Sequence, residues 1–197
     1  NHQHVAETMA AQWQQQGLDP EQLRLISAHL GAGASLAAIK GGVCIDTTMG
    51  YTPLEGLVMA TRSGNIDPGL LLALMREGMG EAELASLLQK QAGLKGLSGL
   101  SGARRYIREQ AAAGHQGALL ALDVFRQRLL QLIGAMAASL QGGEALALTG
   151  GIGEHDQSLR GELDEALAWL PNLELVIVPA DEEGMIARLC RRSTAVG

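Results

Sequence analysis

The chain of 197 residues is 47% hydrophobic and carries a formal net charge of −6, enough apolar material for one sizeable core and no basic stripe for a polyanion. Phe, Tyr and Trp together make up 3% of it, so platforms on which bases stack are scarce and nucleic acid is not an expected partner. Apolar runs such as Leu70-Leu71-Leu72-Ala73-Leu74 stop well short of the roughly 18 residues of a membrane span, and no membrane association is expected.

Cys44 and Cys190 form neither a CxxC pair nor a disulfide framework, so two buried free thiols in a reducing cytoplasm are the simplest expectation. The opening Asn1-His2-Gln3-His4-Val5 has no Met, and the helical spacing Val5, Met9, Trp13 is already under way, as in a chain cut from something longer. That helix is expected to reach about Gln16, ended by Gly17 and Pro20. Leu23 to Leu30 reads as a buried strand closed by the turn Gly31-Ala32-Gly33, followed by a strand from Ala34 to Lys40, the two-residue turn Gly41-Gly42 and a third strand, Val43 to Ile45. Asp46 to Asp67 holds Thr, Gly and Pro too often for a regular element and reads as a long functional loop.

Pro68 opens a helix running to about Leu74, and Glu81 to Gln91 forms a second. Gly93 to Gly102 is expected to be a flexible glycine-serine stretch, followed by a helix through Ala111. From His115 to Leu140 a long helix carries Leu122, Phe125, Leu129, Leu132, Met136 and Leu140 at steps of three and four, a stripe expected to pack on a sheet. A strand from Ala145 to Leu148, a tight loop Thr149-Gly150-Gly151-Ile152-Gly153-Glu154, a helix from Asp156 to Trp169, a strand from Leu173 to Val178 and a helix opened by Asp181-Glu182-Glu183 complete one domain.

Two glycine turns are candidates for anion binding. Gly31-Ala32-Gly33 lies between strands, so it is either an ordinary hairpin turn or a bend whose N–H groups clamp a phosphate. Gly150-Gly151-Ile152-Gly153 sits between a strand and a helix, where close packing or a ligand near the positive helix end accounts equally for its glycines. Arg62, among Thr, Ser and Gly, has the guanidinium that recognises paired oxygens or makes a surface ion pair. Glu182 is either a first-turn acid favoured by the helix dipole or a water-mediated Mg²⁺ contact. His29, beside the first turn, is either a satisfied core histidine or a member of the site.

Taken in order, His29-Leu30-Gly31-Ala32-Gly33-Ala34-Ser35, Asp46-Thr47-Thr48-Met49-Gly50-Tyr51-Thr52-Pro53-Leu54-Glu55-Gly56-Leu57, Thr61-Arg62-Ser63-Gly64-Asn65-Ile66-Asp67-Pro68 and Thr149-Gly150-Gly151-Ile152-Gly153-Glu154 resemble the acetate and propionate kinase family over nearly the whole chain. The resemblance implies an α/β domain of the ribonuclease H-like, actin-like ATPase superfamily, a mixed β-sheet flanked by helices. It implies ATP-dependent phosphorylation of a short-chain carboxylate, with Mg²⁺, ATP and ADP as the nucleotide system. By the resemblance Arg62 stabilises the moving phosphoryl group, Gly31 and Gly33 hold phosphate oxygens, His29 lines the site, Glu182 fixes Mg²⁺ through water, Gly151, Ile152 and His155 border the adenine, and Arg105 is the retained nucleotide contact.

The resemblance further implies that residues 1–197 form the C-terminal nucleotide-binding domain, that a missing N-terminal domain carries the acyl pocket, that copies pair through this half as a homodimer, and that the fragment alone is inactive. A non-catalytic nucleotide-binding or pairing module is the competing expectation. Departures are Ala32 where the family has asparagine, His155 in place of asparagine, Ala103-Arg104-Arg105 where it has Asp-Phe/Tyr-Arg, and a shortened stretch between Glu154 and Glu182. Only a counterpart of the last histidine of its Gly-Phe-His-Gly-Thr-Ser-His motif, His2, remains.

Overall fold

In the computed structural model, which describes residues 1–194, strands β1 (Arg24–Leu30), β2 (Ala34–Lys40), β3 (Val43–Thr47), β4 (Ala145–Thr149) and β5 (Glu174–Ile177) form one sheet in the order β3-β2-β1-β4-β5. β1 runs parallel to β4 with His29 opposite Thr149, and β4 runs parallel to β5. The turns joining β1, β2 and β3 are only two or three residues long, a length that fits antiparallel neighbours and no crossover. The sheet is therefore mixed. The helices are α1 (His2–Gln15), α2 (Pro68–Arg76), α3 (Glu81–Ser86), α4 (Gly93–Ser98), α5 (Arg104–Ala112), α6 (Gln116–Leu140), α7 (Gly150–His155), α8 (Gln157–Ala166) and α9 (Glu182–Thr194).

The chain divides into two compact units, and the first holds residues 1–30, 36–46 and 136 onward. Along β1, β2 and β4 successive residues are buried alike, Leu25 with Ile26, Ala37 with Ala38 and Leu146 with Ala147, because both sheet faces are covered. On one face Val5, Ala6 and Met9 of α1 pack with Leu25, Ala37, Ile39, Ala145, Ala147 and Val178, with Trp13 at the margin. One edge of the core is tied by Arg24, whose guanidinium pairs with Glu144 and donates to the carbonyl of Gln141.

The second unit holds Gly31–Ser35 and Thr47–Ala135, and its buried residues include Leu57, Met59, Leu94, Ile107, Phe125 and Leu129. Arg104 is buried with its guanidinium carbon 4.9 Å from the Phe125 ring centroid. Asp67 caps α2 by accepting from the Gly69 N–H at 2.8 Å, with Pro68 at the first helical position.

Several expectations are corrected. Gly93 to Gly102 is not a flexible stretch throughout, because Gly93–Ser98 is helical and its first free N–H groups find carbonyls: Leu94 donates to Met59 at 2.9 Å and Lys95 to Ala60 at 3.0 Å. The helix from Glu81 is regular only to Ser86 and widens into a π turn over Leu87–Gln91. Thr149 to Glu154 is not a loop, since Gly150–His155 is itself helical. The stripe on α6 is divided, its residues up to Ala135 belonging to the second unit and those from Met136 to the first. Leu122 and Leu132 are only half-buried, while Ile133 and Ala137 complete the buried face. Cys44 and Cys190 are both exposed; Cys44 lies on edge strand β3, whose Val43 and Ile45 are exposed with it. No described helix is long and apolar enough to cross a membrane.

Two outcomes follow from this packing. Gly93 has φ +61°, and a Cβ there would meet the Met59 and Arg62 carbonyl oxygens, so Gly93→Ala is expected to cost about 1–3 kcal/mol. Gly134→Ala, in open space on α6, should stabilise by about 0.5–1 kcal/mol; urea unfolding midpoints compare the two. His2, whose Nδ1 lies 2.8 Å from Ser27 Oγ, has its pKa lowered to about 4, chiefly by burial. Between about 6.5 and 4 the unfolded chain therefore binds the extra proton, so stability falls as pH drops through that window. Melting temperatures measured across it should fall less steeply in His2→Asn.

Candidate functional site

The segment carrying Arg62 has little regular structure but many fixed points. Met59 N–H donates to the Arg62 carbonyl, Ser63 N–H to Leu88, and Thr61 Oγ1 to Gln89 at 2.8 Å. The last two acceptors belong to the π turn, where the widened backbone leaves carbonyls free for other partners. With the α4 bonds to Met59 and Ala60, these contacts hold the arginine loop from both sides. Asn65 Oδ1 accepts from Gly56 N–H at 2.8 Å and its own N–H returns a bond to the Gly56 carbonyl at 3.0 Å, closing the base of the loop.

The same loop grips the first glycine turn. Ala60 N–H donates to the Ala32 carbonyl at 3.2 Å, and Gly31 N–H to Gly33 O at 3.0 Å. A Cβ added at Gly33 would stand 3.6 Å from Arg62 Nη1, so the guanidinium lies beside that glycine. Half-buried Arg62 has few internal partners: Nη1 donates to the Pro53 carbonyl at 3.3 Å and lies 3.7 Å from Met59 Sδ. Among the described residues no carboxylate is paired with it, which leaves donors for an oxyanion. Arg62, Gly31 and Gly33 are thus brought together, and the anchor on Pro53 is one that residue type alone does not signal.

In the first unit a second group assembles where β1, β4 and β5 end. These strands are parallel, so their carboxyl ends share one edge of the sheet, the edge along which open α/β sheets bind ligands. A cleft of ≈390 Å³ there is lined by His29, Gly150, Gly151, Ala180, Asp181, Glu182 and Glu183. His29, Gly151 and Glu182 are therefore brought together. Asp181 and Glu183 join them, signalled in the sequence only by the acidic run at a helix start. Asp181 Oδ1 accepts from Gly184 N–H at 3.1 Å while Oδ2 pairs with Arg188 at 3.0 Å, which fixes the first turn of α9 and with it Glu182.

His29 Nε2 is 3.8 Å from Glu182 Oε1, and its Nδ1 is 2.6 Å from Asn1 Nδ2. Burial lowers the His29 pKa below the usual histidine value, against the opposing pull of the Glu182 carboxylate. The ring is a neutral hydrogen-bonding group at neutral pH.

The glycines after β4 do different things. Gly150 has φ +78°, and a Cβ there would press on the Leu30 carbonyl and the His29 ring; at Gly153 one would lie 3.3 Å from the Leu148 carbonyl carbon. Packing explains both. A Cβ at Gly151 would meet nothing within 4 Å, so its missing side chain is not dictated by internal packing. Ile152 is half-buried on α7 and His155 is exposed at its end; neither lines the cleft. Arg105 projects from the first turn of α5, with its side chain 94% exposed and Nε 3.4 Å from Glu109. Among the described residues no group of three or more His, Cys, Asp and Glu forms a metal cage.

Residues 1–175 match the model of the acetokinase family. Among curated relatives the chain is 49% identical over 170 residues to an acetate kinase of Synechococcus sp. strain JA-2-3B'a(2-13), covering 86% of this chain and 41% of that protein. It is 53% identical over 147 residues to an acetate kinase of Acaryochloris marina, covering 75% and 37% respectively. The chain thus spans half or less of the length of the curated relatives it matches. Its structure is similar to that of Porphyromonas gingivalis acetate kinase, with a TM-score of 0.88 and 36% identity over 95% of this chain and 52% of the other. It is also similar to a propionate kinase from Francisella tularensis, with a TM-score of 0.85 and 33% identity over 94% and 52%. The α/β fold expected from the resemblance, a ribonuclease H-like domain of the actin-like ATPase superfamily with helices around a mixed sheet, is the fold observed. With the family model matched over most of its length and the same architecture as solved members, the chain belongs to the acetokinase family.

Proposed function

We propose that these residues form the nucleotide-binding, C-terminal part of an acetate kinase, which moves the γ-phosphoryl group of ATP to acetate and back, giving acetyl phosphate and ADP. The observation that carries the reading is the Arg62 guanidinium beside Gly33, with donors free and the two segments joined by Ala60 N–H to Ala32 O. Phosphoryl transfer asks a protein chiefly to position groups and neutralise oxygens, and a fixed guanidinium over a glycine turn does both. Gly33 holds phosphate oxygens, Gly31 shapes the turn by giving its N–H to the Gly33 carbonyl, and Arg62 stabilises the charge on the group in flight.

The cleft of the first unit is read separately, as a nucleotide and Mg²⁺ contact in its own right. His29, neutral by burial, donates or accepts a hydrogen bond there and carries no charge. Gly151 offers a bare surface to the adenine, and contacts of Ile152, His155 and Arg105 with the nucleotide are carried over from the family resemblance. Glu182, 57% exposed on the cleft, suits Mg²⁺, which keeps several waters and takes one or two carboxylates beside the phosphates. When bound, Mg²⁺ neutralises phosphate charge. The acyl pocket is assigned to an N-terminal domain, so propionate or another short-chain carboxylate is the alternative acceptor.

Exposed apolar side chains favour a second role. Leu70, Leu72 and Met75 on α2 are 48%, 54% and 49% exposed, and no residue of that helix is buried. A homodimer formed through this half would cover them, and a nucleotide-binding module that only pairs would need nothing more. The cytoplasm, where ATP and acyl phosphates are available, is the proposed compartment.

The 197-residue chain alone is expected to form no acetyl phosphate in a hydroxamate assay, whereas the full-length protein turns over; activity of these residues by themselves would sink the two-part reading. In the full-length protein Arg62→Ala should lower kcat by about 10²–10³-fold, with Arg62→Lys recovering part of it. Gly151→Leu, placed where nothing crowds a side chain, should leave the melting temperature unchanged yet weaken Mg-ADP binding about tenfold by titration calorimetry, a loss of about 1.4 kcal/mol. Wild-type binding with no effect of either substitution would favour a pairing module with its nucleotide elsewhere.

A further inference from the structure

One residue of the motif Thr149-Gly150-Gly151-Ile152-Gly153-Glu154 has no part in the site described so far. Glu154 does not line the cleft. Its Oε1 lies behind the wall and accepts two backbone hydrogen bonds, from Gly150 N–H and from Ala180 N–H, each at 3.0 Å. The first donor opens α7, immediately before Gly151. The second lies two residues before Glu182, in the link between β5 and α9.

We infer that Glu154 is a positioning residue of the nucleotide cleft: its single oxygen sets the spacing between the glycine wall at Gly150–Gly151 and the acidic wall at Ala180–Glu183. The link after β5 is tied at its start by Val178 N–H to the Leu148 carbonyl at 3.0 Å, and beyond Ala180 by the Asp181 cap of α9. Glu154 joins the middle of that link to the opposite wall. Gly150 has a left-handed backbone pressed against the Leu30 carbonyl and the His29 ring, so a fixed Gly150 N–H also fixes where Gly151 begins. A carboxylate receiving two N–H groups makes strong, charge-assisted bonds. The bonds themselves need only an acceptor oxygen, and a glutamine carbonyl supplies one of the same reach.

The inference rests on the reading of the cleft as a Mg-nucleotide site, and the test separates the two. In the full-length protein without ligand, amide hydrogen exchange at Gly150 and Ala180 should speed up at least tenfold in Glu154→Ala and stay near wild type in Glu154→Gln. Calorimetry with Mg-ADP should show about tenfold weaker binding and a higher half-saturating Mg²⁺ concentration in Glu154→Ala, with Glu154→Gln within about twofold of wild type. Unchanged amide protection in Glu154→Ala, or a glutamine variant as weak as the alanine one, overturns the positioning role. If the alanine variant does not fold, the glutamine variant decides alone: near-wild-type binding supports the role and a tenfold loss removes it. Failure of the wild type to bind Mg-ADP overturns the cleft reading and this inference with it, whatever the amides do.

Discussion

The parallel pairing of β1 with β4 is the constraint on which the strand-bearing unit depends. Register puts His29 opposite Thr149, so the chain leaves both strands at the same edge of the sheet. β5, parallel to β4, brings the link to α9 to that edge as well. Because three chain segments emerge together, side chains far apart in sequence come to share one small cleft, and the backbone there has N–H groups not used by strand pairing. The buried residues beneath, from Leu25 and Ile26 to Ala147 and Leu148, make a slip of register costly, since it would turn each strand's side chains to the other face. The sheet sets where the walls of the cleft begin, and the bonds to Glu154 and Asp181 hold the link that completes them.

The second unit reaches order by a different route. Its arginine loop is held largely by the unsatisfied ends of neighbouring helices. A helix start has N–H groups without partners, and those of α4 take the Met59 and Ala60 carbonyls, while the π turn offers Leu88 and Gln89 carbonyls to Ser63 and Thr61. Regular elements thus use their own unsatisfied ends to fix an irregular one. A loop fixed on both sides can hold a guanidinium at a glycine turn without pairing it to a carboxylate.

What could be read beforehand follows from which interactions are local. The β1 to β3 hairpins were legible because Gly31 to Gly33 and Gly41-Gly42 punctuate short apolar runs, and α1 and α6 because their apolar spacing is helical. The helix Gly93–Ser98 was not, since two of its six residues are glycines, and what sustains it are carbonyls more than thirty positions upstream. The helix at Gly150 was hidden for the same reason: glycines written for close packing at Gly150 and Gly153 resemble a loop until the strand they press on is seen. Exposure of Cys44 depended on β3 being an edge, a matter of sheet order. Of the candidate residues, Arg62 with Gly31 and Gly33, and His29 with Gly151 and Glu182, are gathered into two groups, each within its own unit. Ile152, His155 and Arg105 stand outside the cleft, and family wording alone brings them to the nucleotide.

Most departures from the family pattern, Ala32, Ala103 and His155, stand at exposed positions. Ala32 lacks the amide of the usual asparagine, yet it is the Ala32 carbonyl that receives Ala60 N–H, so the turn is shaped by backbone and survives the change, and what is lost is a side-chain donor at an exposed position. Ala103 removes an acid from the start of α5. Its neighbour Arg104 is drawn into the core over Phe125, where a cation held against an aromatic face has only a planar, delocalised charge to desolvate. Arg105 is left outside with Glu109 as its partner. His155 ends α7 in solvent and packs nothing. Apart from Arg104, the substitutions therefore fall on side chains that face outward, while the contacts that shape both groups of residues run through backbone atoms and through Thr61, Glu154 and Asp181, none of which is a departure. A site constructed in this way keeps its form when its outer side chains drift.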